Sequence, residues 1–112
     1  MQGKIRIPSI AGQTDQHLTL PISVNDQDAW TEDQTSGFFT QTVSLTGMTT
    51  ATMFFADADL SSAATADAAA SILADWMKVD RVEGLQNQLK FYCSGSAPQA
   101  ALPVTIRIVS PV

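Results

Sequence analysis

The side chains able to do chemistry are few and far apart. His17 is the one histidine and Cys93 the one cysteine. A Ser-His-Asp arrangement or a Cys-His pair would have to use His17. It starts an apolar alternating run and has no motif beside it, so it reads as an exposed or strand-end histidine. Cys93 shares a strand face with Leu89 and Phe91, which fits a packed thiol better than a nucleophile. A disulfide within the chain and a four-cysteine zinc site are both excluded. The acidic stretch Asn25–Asp33 carries Asp26, Asp28, Glu32 and Asp33. Hard cations take several oxygen ligands, but this stretch lacks the Gly and the closing Glu of an EF-hand loop and reads as a solvated loop. Glycoside hydrolysis needs two acids held across a cleft, and nothing marks which two. The expectation is a protein without catalytic residues, metal or cofactor.

Four aromatic residues remain as candidates for contact: Trp30, Phe38, Phe54 and Tyr92. Each sits in a loop or opposite the expected core face of its strand. Exposed aromatics stack on sugars or fill subunit interfaces. Phe54 and Phe55 are adjacent and cannot both face one core, so one must meet the helix, a partner subunit or water.

The elements that hold these residues follow from periodicity. Lys4 to Ile7 reads as a short strand closed by Pro8 and a loop at Gly12. Leu18, Leu20, Ile22 and Val24 alternate with polar or proline positions, marking a half-buried strand. Pro21 lacks a ladder donor, so that strand belongs at an edge or carries a bulge. Phe39, Gln41, Val43 and Leu45 alternate with Thr40, Thr42 and Ser44. Thr46-Gly-Met-Thr49 reads as a hairpin connection into a strand over Thr50 to Ala56. Asp59 to Ser62 looks like a helix start. Ala66, Ala69, Ala70, Leu73, Trp76 and Met77 then fall at helical spacing. Asp67, Ser71, Ala74, Asp75 and Lys78 would take the opposite face, with Asp67 and Lys78 placed to complement the macrodipole. A short strand over Lys78 to Glu83 leads into a turn at 84–87. Leu89, Phe91 and Cys93 define the next strand, and Leu102, Val104, Ile106 and Ile108 the last.

One domain is expected from 112 residues, with 1–16 as an N-terminal arm and 17–112 as the core. The fold class is mainly β: an antiparallel sandwich of about six or seven strands with one helix packed on it. Charged residues make up 15% of the chain, well under the usual roughly 25%. Ser, Thr, Gln and Asn supply the polarity instead, which suits sheets and protein contacts. The net charge is −5 and the cations are scattered, which argues against nucleic acid and anionic membranes as partners. Met1 to Pro8 has no uninterrupted apolar run, so no signal peptide is expected.

Several segments together resemble a small domain of tail, fibre and other virion proteins from phages of Gram-positive bacteria. The segments are the alternating strand Leu18 to Val24, Trp30 in a polar loop and the run Phe39-Thr40-Gln41-Thr42-Val43. Gly47-Met48-Thr49, Phe91-Tyr92-Cys93, Ala97-Pro98 and the strand Leu102 to Ile108 follow in order. The resemblance spans about Leu18 to Val109 and lies in order and spacing. The polar loop and the Ala-rich helix are longer than in that pattern. It implies a virion component such as a capsid decoration, tail, baseplate or fibre protein, made in the bacterial cytoplasm. Other virion proteins, a host-surface glycan and copies of the chain itself, as a trimer, are the implied partners. A stand-alone carbohydrate-binding module is the alternative.

Overall fold

The computed structural model describes residues 13–109. The expected strand at Lys4–Ile7 and the Gly12 loop lie outside them. Two antiparallel sheets pack face to face. The first is three-stranded in the order β1-β9-β6, formed by Gln13–Leu20, Leu102–Val109 and Met53–Ala58. The second is four-stranded in the order β4-β5-β8-β7, formed by Thr31–Glu32, Phe39–Ser44, Gln88–Cys93 and Val79–Leu85. A small hairpin of β2 (Ser23–Val24) and β3 (Gln27–Asp28) sits beside them, and one helix, α1, spans Ala66–Trp76. The chain is therefore the expected mainly β sandwich with one helix. Among the described residues, no helix is long and apolar enough to cross a membrane.

Period-two alternation builds the core. Leu102, Val104 and Ile106 of β9 meet Leu89, Phe91 and Cys93 of β8, and all six are buried. Leu20, Trp30, Leu45 and Met48 complete the cluster. Fully burying one such side chain stabilises the fold by about 1.5–3 kcal/mol. Gln41 is the polar member of the interior. Its Nε2 donates to the Pro21 carbonyl at 3.1 Å, tying the second sheet to the end of β1. The register fits the pleat: Phe39 stands opposite Cys93, Gln41 opposite Phe91 and Val43 opposite Leu89.

Several expectations about elements are corrected. The first strand stops at Leu20, and Pro21 and Ile22 break the ladder. Ile22 and Val24 are exposed rather than buried. β1 is nonetheless an edge strand, pairing with β9 alone. Its ladder begins at Gln13, so 13–16 belong to the sheet and not to an arm.

The segment at Gly47 is not a hairpin. β5 pairs with β8 and β6 with β9, so 45–52 crosses from one sheet to the other. Met48 is fully buried and pulls the chain inward. The crossing docks on the β7–β8 turn, where Gly47 N–H donates to Asn87 Oδ1 and Asn87 N–H to the Met48 carbonyl. Gly47 has φ +93, a conformation glycine adopts without strain.

The helix begins later than expected. Thr65 is its cap, with Oγ1 accepting from Ala68 N–H at 3.0 Å. Asp59 instead closes a separate turn by accepting from the Ser61 amide and hydroxyl.

The buried face of the helix is also rotated. Ile72 and Trp76 pack on the core, whereas Leu73 and Met77 are exposed. Asp75, expected to face solvent, is 8% exposed. Its carboxylate accepts from Lys78 Nζ, Gln99 N–H and Ala100 N–H at 3.1 to 3.3 Å, fastening the helix to the segment before β9.

Candidate functional site

The outer face of the four-stranded sheet follows from the same alternation that fills the core. With Leu89, Phe91 and Cys93 turned inward, Lys90 and Tyr92 must point out. Arg81 lies opposite Tyr92 and Glu83 opposite Lys90 on β7, while Thr40 and Thr42 lie opposite them on β5. Thr31 of β4 extends the row beside Thr40. Phe38, just before β5, meets Tyr92 edge to face with ring centroids 5.7 Å apart.

Tyr92 is the hub of this face. Its hydroxyl donates to Glu83 Oε1. The Arg81 guanidinium lies 4.5 Å from the ring centroid and Lys90 Nζ 5.2 Å from it. Arg81 also pairs with Glu83 at 3.4 Å. The hydrogen bond from Tyr92, aided by both cations, holds the Glu83 carboxyl below its ordinary range. The same bond raises the Tyr92 phenol. Charges of both signs thus surround an aromatic pair, rimmed by threonines. Such a surface can hydrogen-bond hydroxyls and amides and present Phe38 as an apolar contact.

Of the four aromatic candidates, the structure joins Phe38 and Tyr92, both half-buried. Trp30 is not exposed. It is 6% accessible and belongs to the core. The polar loop is in fact folded: Asn25 and Asp26, both at positive φ, turn β2 into β3, as a two-residue hairpin with a primed turn requires. Ala29 N–H then donates to the Ile22 carbonyl, which delivers Trp30 inward. Phe54 is also not on the outer face. It is half-buried and packs on the core, and Phe55 points outward at 62% exposure. The expected sides of this adjacent pair are therefore exchanged.

His17 is exposed, with Nδ1 3.0 Å from Asp59 Oδ2. Asp59 separates it from Ser61, so a nucleophile–base–orienter order does not arise. Cys93 is buried, and burial pushes its thiol up to about 11. In the acidic loop, the Asp33 carboxylate accepts from the amides of Thr35 and Ser36, which lowers its pKa. Among the described residues, no three His, Cys, Asp or Glu side chains converge as metal ligands do.

Sequence reasoning passed over Arg81, Lys90 and Glu83, which complete the Tyr92 cluster, and Met53 and Phe55, which face outward on β6. The first three were legible as the odd-face residues of a β7–β8 hairpin once its two-residue turn at 86–87 was fixed. No family model, no curated protein and no solved structure matches this chain.

Proposed function

We propose that this chain is a structural component of a bacteriophage virion, displayed on the particle as a capsid decoration, tail, baseplate or fibre protein. It acts by its surfaces and carries out no chemistry. The observation that carries the reading is how the resembling segments lie together. The Phe39-Thr40-Gln41-Thr42-Val43 run and the Phe91-Tyr92-Cys93 strand are laddered side by side, Phe39 on Cys93 and Gln41 on Phe91. Met48 of the Gly47-Met48-Thr49 turn belongs to the same core, and Ala97 of Ala97-Pro98 packs against it. Segments far apart in sequence therefore act as one packing unit, as the parts of a recurring domain should.

On this reading the partners are other virion proteins and copies of this chain, with threefold assembly following from the resemblance alone. Mass spectrometry of purified particles tests it. Hundreds of copies mean capsid or tail tube, a handful means baseplate or fibre, and absence from the particle refutes the reading.

The Phe38–Tyr92 pair favours a second reading, a carbohydrate-binding module that touches a host-surface glycan. Two cations and the Phe38 ring already engage Tyr92, so a sugar would contact chiefly Phe38 and the Thr and Glu83 oxygens. Glycan-array binding by the isolated protein, lost in both Phe38→Ala and Tyr92→Ala, would put this reading first.

A further inference from the structure

A two-sheet sandwich has four edge strands, each with a row of unpaired backbone donors and acceptors. Proteins protect such edges with short strands, charges, prolines or bulges. Three edges here carry these devices. β4 has two residues, one of them Glu32. β7 has a register shift between Val79 and Arg81 and carries the Arg81–Glu83 ion pair. β1 bears Asp15 and His17, both tied in ion pairs, and ends at Pro21.

β6 is different. Met53–Ala58 is a six-residue strand whose one ladder partner is β9, with no register shift. Its one charged residue is Asp57, near its end, and it holds no Lys, Arg, Pro or Gly. Its outward residues Met53 and Phe55 are each 62% exposed. Among the described residues, five further large apolar side chains are exposed. Leu60 follows it in the chain, and Leu73 and Met77 lie on or at the end of α1, which packs against β6. Ile22 precedes the β2–β3 hairpin and Val24 belongs to it.

The geometry points to β6 as the strand through which two copies of this chain join, edge to edge about a twofold axis, making one continuous six-stranded sheet. The strand is complementary to itself in one antiparallel register. Centring the axis on Phe54 sets Met53 opposite the partner's Phe55, and Phe55 opposite the partner's Met53. That gives two sulfur–aromatic contacts on the outer face. The two Asp57 side chains then stand roughly 20 Å apart along the strands, beyond the screening length of about 8 Å at physiological salt. Shifting the axis to Phe55 instead sets Met53 against the partner's Asp57, an apolar group against a charge.

The area suits a modest interface. One six-residue strand edge with Met53 and Phe55 is a smaller surface than the roughly 800 Å² per partner of a stable complex. Association is therefore reversible and depends on concentration. The inference rests on the sheet geometry and stands against the threefold assembly that the resemblance implies; the mass of the oligomer tells the two apart, and presence on the particle is a separate question.

Sedimentation equilibrium of the purified chain over a wide concentration range tests it. The expected result is a reversible monomer–dimer equilibrium that weakens at least about tenfold in Phe55→Lys, a change at an exposed side chain that leaves the core intact. Thr42→Lys, on the outer face of the other sheet, leaves the equilibrium unchanged. Register is read by oxidative cross-linking. Met53→Cys/Phe55→Cys forms intermolecular disulfides, while Met53→Cys/Asp57→Cys does not, and the buried Cys93 stays silent in both. A monomer at every concentration, a trimer, or a dimer indifferent to Phe55→Lys overturns the proposal. So does cross-linking through the second cysteine pair and not the first.

Discussion

Ile106 and Arg107 are neighbours on the central strand β9 and differ in one respect, the side of the sheet they face. Ile106 is fully buried between Gln16 of β1 and Ala56 of β6. Ile106→Ala removes three carbons, and at roughly 0.8 kcal/mol each the lost transfer energy is about 2.4 kcal/mol. The cavity left behind brings the total to about 2–5 kcal/mol. For a chain of this size that corresponds to a fall in melting temperature on the order of 10–20 °C. Arg107 faces water and pairs with Asp15 through Nε at 2.9 Å. Water screens such a pair, so Arg107→Ala lowers stability far less. Urea unfolding followed by tryptophan fluorescence is the assay, because Trp30 is buried and Trp76 packs on the core. Equal losses in the two variants would refute the register of β9, since a one-residue slip exchanges the two faces.

Gly84→Ala would set a methyl 2.9 Å from Met48 Cε, 3.2 Å from the Thr49 carbonyl oxygen and 3.3 Å from Phe54 Cε1; it destabilises by about 1–3 kcal/mol, and a gain in urea midpoint would show that this contact is loose. The Cys93 thiol, buried and raised to about 11, stays unreactive to a disulfide reagent at neutral pH until the protein unfolds; fast stoichiometric labelling of the native state contradicts that packing. The Asp59 carboxyl is lowered from its ordinary 3.8, first by the Ser61 hydroxyl and amide and then by His17. Its stabilising effect is therefore present above pH 3.8 and is lost as pH falls through the lowered value. Asp59→Ala removes that part of the acid sensitivity, and a urea midpoint–pH profile identical to wild type rules it out.

Alternation was legible wherever a strand has one wet and one dry face. Leu89, Phe91 and Cys93, and Leu102, Val104 and Ile106, were readable for that reason. Pairing was not, because period two says which side a residue faces and nothing about its neighbour strand. The Gly47 turn has hairpin chemistry, yet buried Met48 makes it a crossing between sheets. Tertiary packing likewise overrode the helix reading. In an Ala-rich helix the apolar stripe is broad, so Ile72 and Leu73 were nearly equivalent choices. Asp75 was assigned to water because its partners, the amides of Gln99 and Ala100, are distant in sequence. At the candidate site, Phe38 and Tyr92 were found from their strand faces. Trp30 was misplaced because polar residues around it suggested a solvated loop, and those residues are the turn that buries it. Phe54 and Phe55 could not be told apart without the true start of β6.

The order in which the chain emerges during synthesis meets an obstacle in the sheet β1-β9-β6. Gln13 ladders with Val109 and Leu20 with Leu102, and β6 also ladders only with β9. Among the described residues, neither early strand has its ladder partner until β9 is made. The β7–β8 hairpin needs no such wait, being closed by the turn at Gln86 and Asn87. β5 can join it as soon as β8 is available. The four-stranded sheet therefore forms first, and β9 acts as a late latch that pairs with β1 and β6 together. Closing loops of that length before any ladder contact rewards them makes folding slow. In that interval β6 offers Met53 and Phe55 on a strand without a partner on either side, so the nascent chain is most prone to aggregation just before β9 appears.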